Sequence, residues 1–104
     1  MSYDKINVYL ARIPQYEDYV RKYKVFLDGA PVGEIKKDET LKLSVNPGEH
    51  RIHLAMDWCR SNTLIFNARV GQDVYLECGN NTKGKAFLTA VFARDAYLYV
   101  KRVH

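Results

Sequence analysis

The stretch from Val25 to Cys78 alternates apolar and polar residues, and two turn signatures interrupt it, LDGAPVG at 27–33 and VNPGEH at 45–50. Because successive side chains of a strand point to opposite faces of a sheet, this period of two predicts half-buried strands. Asp-Gly and Asn-Pro-Gly provide the backbone conformations that reverse a chain within a few residues. The pattern therefore indicates an all-β fold of short strands joined by tight turns.

Apolar residues at alternate positions predict which face of each strand enters the core. The clearest set is Ile52, Leu54, Met56 and Trp58. The corresponding sets elsewhere are Ile6, Val8 and Leu10; Tyr23, Val25 and Leu27; Leu41, Leu43 and Val45; Leu64, Phe66, Ala68 and Val70; and Val74, Leu76 and Cys78. Because Pro14 follows the first set and proline donates no ladder hydrogen bond, we expect the first strand at a sheet edge.

The C-terminal part departs from this alternation. Phe87, Leu88, Val91 and Phe92 fall at the spacing of one helical face, which predicts a short helix over 83–94. The segment 96–103 is rich in aromatic and β-branched residues and predicts a final strand. The whole chain, 1–104, is thus expected to form a single domain, an Ig-like antiparallel β-sandwich of about seven or eight strands with one short helix before the last strand.

Composition limits the location and the chemistry. The first residues carry no signal-peptide pattern, and the longest apolar-rich stretch, 86–93, is far below the roughly 20 residues of a membrane-spanning helix. We therefore expect a cytoplasmic protein whose Cys59 and Cys78 are reduced thiols. The histidines and cysteines lack the spacing of metal ligands, so we expect neither a metal nor a cofactor.

Residues 23–56 resemble the PEGA-like β-sandwich domains of bacteria, because a strand ending in Leu27-Asp28-Gly29 is followed by Val32-Gly33 and then by Pro47-Gly48-Glu49-His50. The chain also looks like a group of small bacterial proteins without an assigned activity. It shares with them the segment DWCxS at 57–61, LxCG at 76–79 and a Tyr-Leu-Tyr ending. The resemblance implies a small Ig-like module that acts by interaction, and it carries over no catalytic residue.

The densest set of chemically capable side chains is Asp57, Trp58, Arg60 and Asn62. An indole beside these polar groups is suited to stack on a sugar or another small ligand. The alternative is that Trp58, in phase with Ile52, Leu54 and Met56, belongs to the core. His53 is the obvious candidate base for Cys59, but on one extended strand the two lie too far apart for a nucleophile and its base.

The C-terminal segment combines an apolar helical face with the charge excess of the chain. Residues 1–78 contain eleven basic and eleven acidic side chains, whereas residues 79–104 contain five basic and one acidic. Lys83, Lys85, Phe87, Phe92 and Arg94 are therefore candidate contacts for a membrane surface or a partner. The alternative is that this helix covers an open end of the sandwich.

These observations favour a non-catalytic interaction module whose partner is another protein or a second copy, using exposed tyrosines, an edge strand or the basic tail. The alternatives are a carbohydrate or small-ligand binder centred on Trp58, and a module peripheral to a membrane surface. Nucleic-acid binding is disfavoured because the chain has neither an RNP-type nor a helix-turn-helix motif. No constellation of residues points to an enzyme.

Overall fold

The computed structural model describes residues 5–13, 21–57, 59–80 and 98–103. In these residues the fold is all-β, as the alternation predicts. The nine strands are β1 (Ile6–Arg12), β2 (Tyr23–Leu27), β3 (Ala30–Ile35), β4 (Thr40–Val45), β5 (Gly48–Met56), β6 (Cys59–Arg60), β7 (Leu64–Ala68), β8 (Val74–Asn80) and β9 (Leu98–Arg102). The predicted helix over 83–94 lies outside the described residues, whereas the predicted final strand is present as β9.

The strands form two sheets in a sandwich-like arrangement. Sheet A has the order β4-β1-β8-β9, and sheet B has the order β3-β2-β5-β6, with β7 also paired to β5. The expectation that the first strand is an edge strand is wrong, because β1 lies between β4 and β8. The last residue of β1 is Arg12, two positions before Pro14 in the sequence.

The expectation of antiparallel pairing holds for the described strand pairs with one exception. β1 and β8 are parallel, with Tyr9 opposite Tyr75, whereas the other strand pairs are antiparallel. Adjacent strands joined by tight turns must be antiparallel, but β1 and β8 are separated by most of the chain, so no turn restricts their direction.

Both sheets contribute to one hydrophobic core. Ile6, Val8 and Leu10 of β1, like Ile52, Leu54 and Met56 of β5, are buried, which confirms the predicted parity of these strands. Val70 is an exception, because the strand β7 ends at Ala68 and the side chain of Val70 is 59% exposed in the turn that follows. Burial of these apolar surfaces is the main stabilising contribution to such a fold.

One buried cation connects the two sheets. Arg12, at the end of β1, is 5% exposed, and its guanidinium lies 3.7 Å from the ring centroid of Tyr23 in sheet B. It also donates hydrogen bonds to the carbonyl oxygens of Arg21 and Ile35. A buried charge is costly unless such partners surround it, so Arg12 constrains how one end of sheet A meets sheet B.

The tight turns have the geometry that their sequences predict. Asp28 and Gly29 both have positive φ, 53° and 86°, in the two-residue connection between β2 and β3. Positive φ at both central positions matches the right-handed twist of the two flanking strands. Asp57, which follows β5, also has a positive φ of 55°, so the chain reverses at this point and β6 pairs back onto β5.

Candidate functional site

The outward side of sheet B is rich in positive charge, and we call it the basic face. In register across three neighbouring strands lie Lys24 of β2, Ala55 of β5 and Arg60 of β6. Lys24 and Arg60 are exposed, and the small side chain of Ala55 lies between them. Because neighbouring strands are about 4.8 Å apart, the backbones of the two cationic residues are separated by about 10 Å.

Two depressions open on this face. The larger, of about 580 Å³, is lined by Arg21, Lys22, Lys24, Phe26, Ala55, Met56 and Asp57. The smaller, of about 220 Å³, is lined by His53, Arg60, Ser61 and Thr63. The rings of Phe26 and His53 stack on each other with centroids 4.8 Å apart and an interplanar angle of 3°. Each depression is therefore bordered by one ring of a stacked pair.

The electrostatics of the basic face follow from its cations. Burial and the nearby charge of Arg60 lower the pKa of His53 from its usual 6.5, so its imidazole is neutral at pH 7. Asp57 forms an ion pair with Arg21 at the mouth of the larger depression. Lys22, Lys24 and Arg60 lie beyond ion-pair distance of every carboxylate in the described residues.

The structure separates the residues of the predicted ligand site. Asp57 lines the larger depression and Arg60 the smaller, while Trp58 lies outside the described residues. The side-chain amide of Asn62 is engaged elsewhere. It donates to the carbonyl oxygen of Val100 at 2.9 Å and accepts from the Val100 N–H at 3.0 Å. Asn62 thus joins the loop after β6 to β9 of the other sheet.

The outward side of sheet A has a different character, and we call it the tyrosine face. A row of neighbouring residues crosses β4, β1 and β8 and reaches the residue that follows β9: Lys42, Tyr9, Tyr75 and Val103, whose N–H donates to the Tyr75 carbonyl oxygen. The Tyr9 and Tyr75 rings are stacked with centroids 5.3 Å apart, and the Lys42 ammonium lies 5.9 Å from the Tyr9 centroid. Tyr75 is 41% exposed and Val103 39%, so the row presents apolar and aromatic surface to solvent.

Beside this row, Glu77 is engaged by its neighbours. The Tyr99 hydroxyl donates to its carboxylate at 2.6 Å, and Lys101 lies 3.7 Å away. Burial, followed by the hydrogen bond to Glu77, raises the pKa of Tyr99 well above its usual value. Tyr99 is therefore a hydrogen-bond donor at physiological pH, and the negative charge of Glu77 is balanced within the face.

A third polar cluster links two turns. His50 contacts a carboxylate oxygen of Asp28 through Nδ1 at 2.6 Å and the carbonyl oxygen of Asn46 through Nε2 at 2.7 Å. Both partners are acceptors, so both ring nitrogens donate only when the imidazole is protonated. Burial opposes that charge, but the hydrogen bonds to Asp28 and Asn46 outweigh it and raise the pKa of His50. The cluster holds the β2–β3 turn against the β4–β5 turn.

Cys59 and Cys78 are both buried, and no disulfide joins them. Cys59 pairs with Met56 on the core side of β5, whereas His53 has the outward parity of that strand. Cys59 and His53 are therefore kept apart because they lie on opposite faces of sheet B. They do not lie on one continuous strand, since the chain reverses between β5 and β6. Burial raises the pKa of Cys78 to about 12, which leaves it protonated and a poor nucleophile.

The remaining candidate residues of the C-terminal segment, Lys83, Lys85, Phe87, Phe92 and Arg94, lie outside the described residues. Within the described ranges there is no group of three or more His, Cys, Asp or Glu side chains able to hold a metal ion. The same ranges contain no helix with the length and hydrophobicity needed to cross a bilayer.

Sequence patterns alone did not single out Tyr9, Lys24, Phe26 or His53 as surface residues of interest. Their outward parity is visible beside the apolar sets of β1, β2 and β5. The sequence does not show which strands are neighbours. Only the strand register places Tyr9 against Tyr75 and Phe26 against His53.

Comparison of the chain with protein-family models, with curated proteins and with solved structures gives no match in any of the three. The function is therefore inferred from the chemistry of the two faces.

Proposed function

We propose that the protein is a non-catalytic protein-interaction module, an Ig-like sandwich of the PEGA-like kind, and that the tyrosine face docks its partner. The observation that carries the proposal is the continuous row Lys42, Tyr9, Tyr75 and Val103, in which Tyr75 is 41% exposed. Tyrosines supply large contact area at low entropic cost and are enriched where binding energy is concentrated.

The charges of the face favour a partner with acidic groups around an apolar centre. Lys42 and Lys101 are exposed at its margins, and the carboxylate of Glu77 is engaged by Tyr99 and Lys101. A second copy would bring lysines against lysines, and the chain as a whole carries a net charge of +4. Electrostatic complementarity therefore supports a different protein over a homodimer.

Site-specific photocrosslinking identifies the partner. A benzophenone amino acid is placed at Tyr75 and, as the matched control, at Ile65, which is 54% exposed on the other sheet. We expect a discrete adduct in native cells from position 75 and none from position 65.

The purified partner is then titrated against Tyr75→Ser and Ile65→Ser. Loss of a central aromatic contact is expected to weaken binding about tenfold, whereas the control stays within about twofold. Equal affinity of both variants contradicts the proposal. An adduct consisting only of two copies of this chain, together with a dimer in light scattering, replaces the partner protein by self-association.

A further inference from the structure

The basic face is a second surface with its own chemistry. Arg21, Lys22 and Lys24 line its larger depression and Arg60 lines the smaller. The carboxylate in these linings, Asp57, is paired with Arg21. Glu34, directly opposite Lys24 on β3, does not come within ion-pair distance of it. The described part of the face thus keeps an excess of positive charge, which attracts anions.

The same face also offers aromatic rings. The stacked Phe26 and His53 rings each border one depression. Because the pKa of His53 is lowered, its ring is uncharged at pH 7 and acts as an aromatic surface. Proteins that bind single strands combine a positive groove for the phosphates with rings on which bases stack, and this combination is tolerant of sequence because every base has a π face.

We propose that the basic face binds single-stranded nucleic acid. Lys24, Arg60 and the neighbouring cations Arg21 and Lys22 hold the phosphates, and the bases lie against the Phe26 and His53 rings. The surface is separate from the tyrosine face, so the site stands or falls independently of the protein-docking proposal. The absence of an RNP-type or helix-turn-helix motif does not oppose it, because recognition here rests on phosphate charge and stacking and not on base-edge hydrogen bonds.

The test is fluorescence anisotropy of a labelled 12-nucleotide oligothymidylate with the full chain. The variant Lys24→Gln/Arg60→Gln removes two charges from the face. Its matched control, Lys36→Gln/Arg69→Gln, removes two exposed charges from the β3–β4 and β7–β8 connections. We expect the face variant to bind at least about tenfold more weakly at low salt and the control to stay within about twofold. Loss of two phosphate contacts should also reduce the slope of log K against log salt by about 1.4.

Phe26→Leu tests the stacking part separately, because it keeps the charge. We expect about tenfold weaker oligothymidylate binding, since stacking on an aromatic side chain is a substantial part of single-strand affinity. Circular dichroism first confirms that the variant is folded. As a second readout that needs no substitution, NMR titration should show the His53 pKa rising when the oligonucleotide is bound, because a phosphate beside Arg60 offsets that positive charge.

Two further probes separate nucleic acid from other phosphate sources. Inorganic polyphosphate of equal charge carries no bases, and vesicles containing phosphatidylglycerol carry phosphates at a lipid surface. The proposal predicts that the oligothymidylate binds more tightly than either. Equal binding of polyphosphate that is insensitive to Phe26→Leu would overturn it in favour of a purely electrostatic surface, and tighter binding to vesicles would overturn it in favour of a membrane. Absence of oligonucleotide binding, or equal loss in the control variant, also overturns it.

Discussion

On the tyrosine face of sheet A, stacked tyrosines occupy the two central strands. The charged side chains beside them contact a tyrosine ring, as Lys42 does, or form an ion pair, as Lys101 and Glu77 do. On the basic face of sheet B, a stacked Phe26–His53 pair is surrounded by cations, of which Arg21 is paired with a described carboxylate. Both faces follow the same alternation of inward and outward residues. Their difference shows that the chemistry of a sheet face depends on which strands become neighbours, and not on parity alone.

The largest effect is expected from a substitution in the core, which tests whether the two faces unfold as one cooperative unit. Leu54 is fully buried in the core shared by both sheets. Leu54→Ala should lower the free energy of unfolding by about 3 kcal/mol, because the truncation loses apolar burial and leaves a cavity. Urea unfolding followed by the NMR signals of Tyr75 for sheet A and of His53 for sheet B should give coincident transitions.

The control for the core test is Ile65→Ala, at a position that is 54% exposed on the basic face, with an expected effect of less than about 0.5 kcal/mol. Separate transitions for the two probes would mean that the faces belong to independently unfolding layers.

A smaller effect is expected at the side-chain link between the sheets. Asn62→Ala removes both hydrogen bonds to the Val100 backbone and should cost about 2 kcal/mol, at about 1 kcal/mol for each bond. The matched control is Asn67→Ala, an exposed asparagine on β7, which should leave stability nearly unchanged. Equal unfolding midpoints for the two variants would show that Asn62 does not hold the loop to β9, and would restore it as a candidate ligand contact.

The smallest effect contrasts two histidines of the same strand. The folded pKa of His50 is raised and that of Asp28 is lowered, despite the opposing contribution of burial to each. The contribution of this pair to stability is therefore complete only above the unfolded pKa of Asp28 and below that of His50, roughly between pH 4 and 6.5. It declines as pH rises through the folded pKa of His50. Because solvent screens the 47% exposed carboxylate, we expect about 0.5 kcal/mol.

The pKa of His53 is shifted in the opposite direction to that of His50, because burial and the charge of Arg60 lower it. Its contribution therefore favours the folded state more as pH rises through the unfolded pKa near 6.5. NMR titration of the two imidazoles measures both values, and urea midpoints at pH 5.5 and pH 8 measure the linkage for His50→Gln and His53→Gln. If both histidines have a pKa near 6.5, the opposite effects proposed for their surroundings are contradicted.

Much of the local structure followed from short stretches of sequence. The alternation of Ile52, Leu54 and Met56 correctly predicted a strand and its buried face, and Asp28-Gly29 correctly predicted that the chain reverses there. These features depend on a few consecutive residues, because strand parity and turn conformation are set by the backbone itself. The prediction that Val70 is buried was wrong, because β7 ends at Ala68 and Val70 lies exposed in the turn that follows.

The order of the strands, the parallel β1–β8 pair and the composition of the two faces could not be obtained in that way. Tyr9 meets Tyr75, and Lys24 meets Arg60 across Ala55, only through registers between segments that are not adjacent in the chain. Such pairings are selected by the burial of a common core against the entropy of closing long loops, and that balance belongs to the whole fold. Local pattern therefore specified the strands and their inner sides, while long-range packing specified what their outer sides bring together.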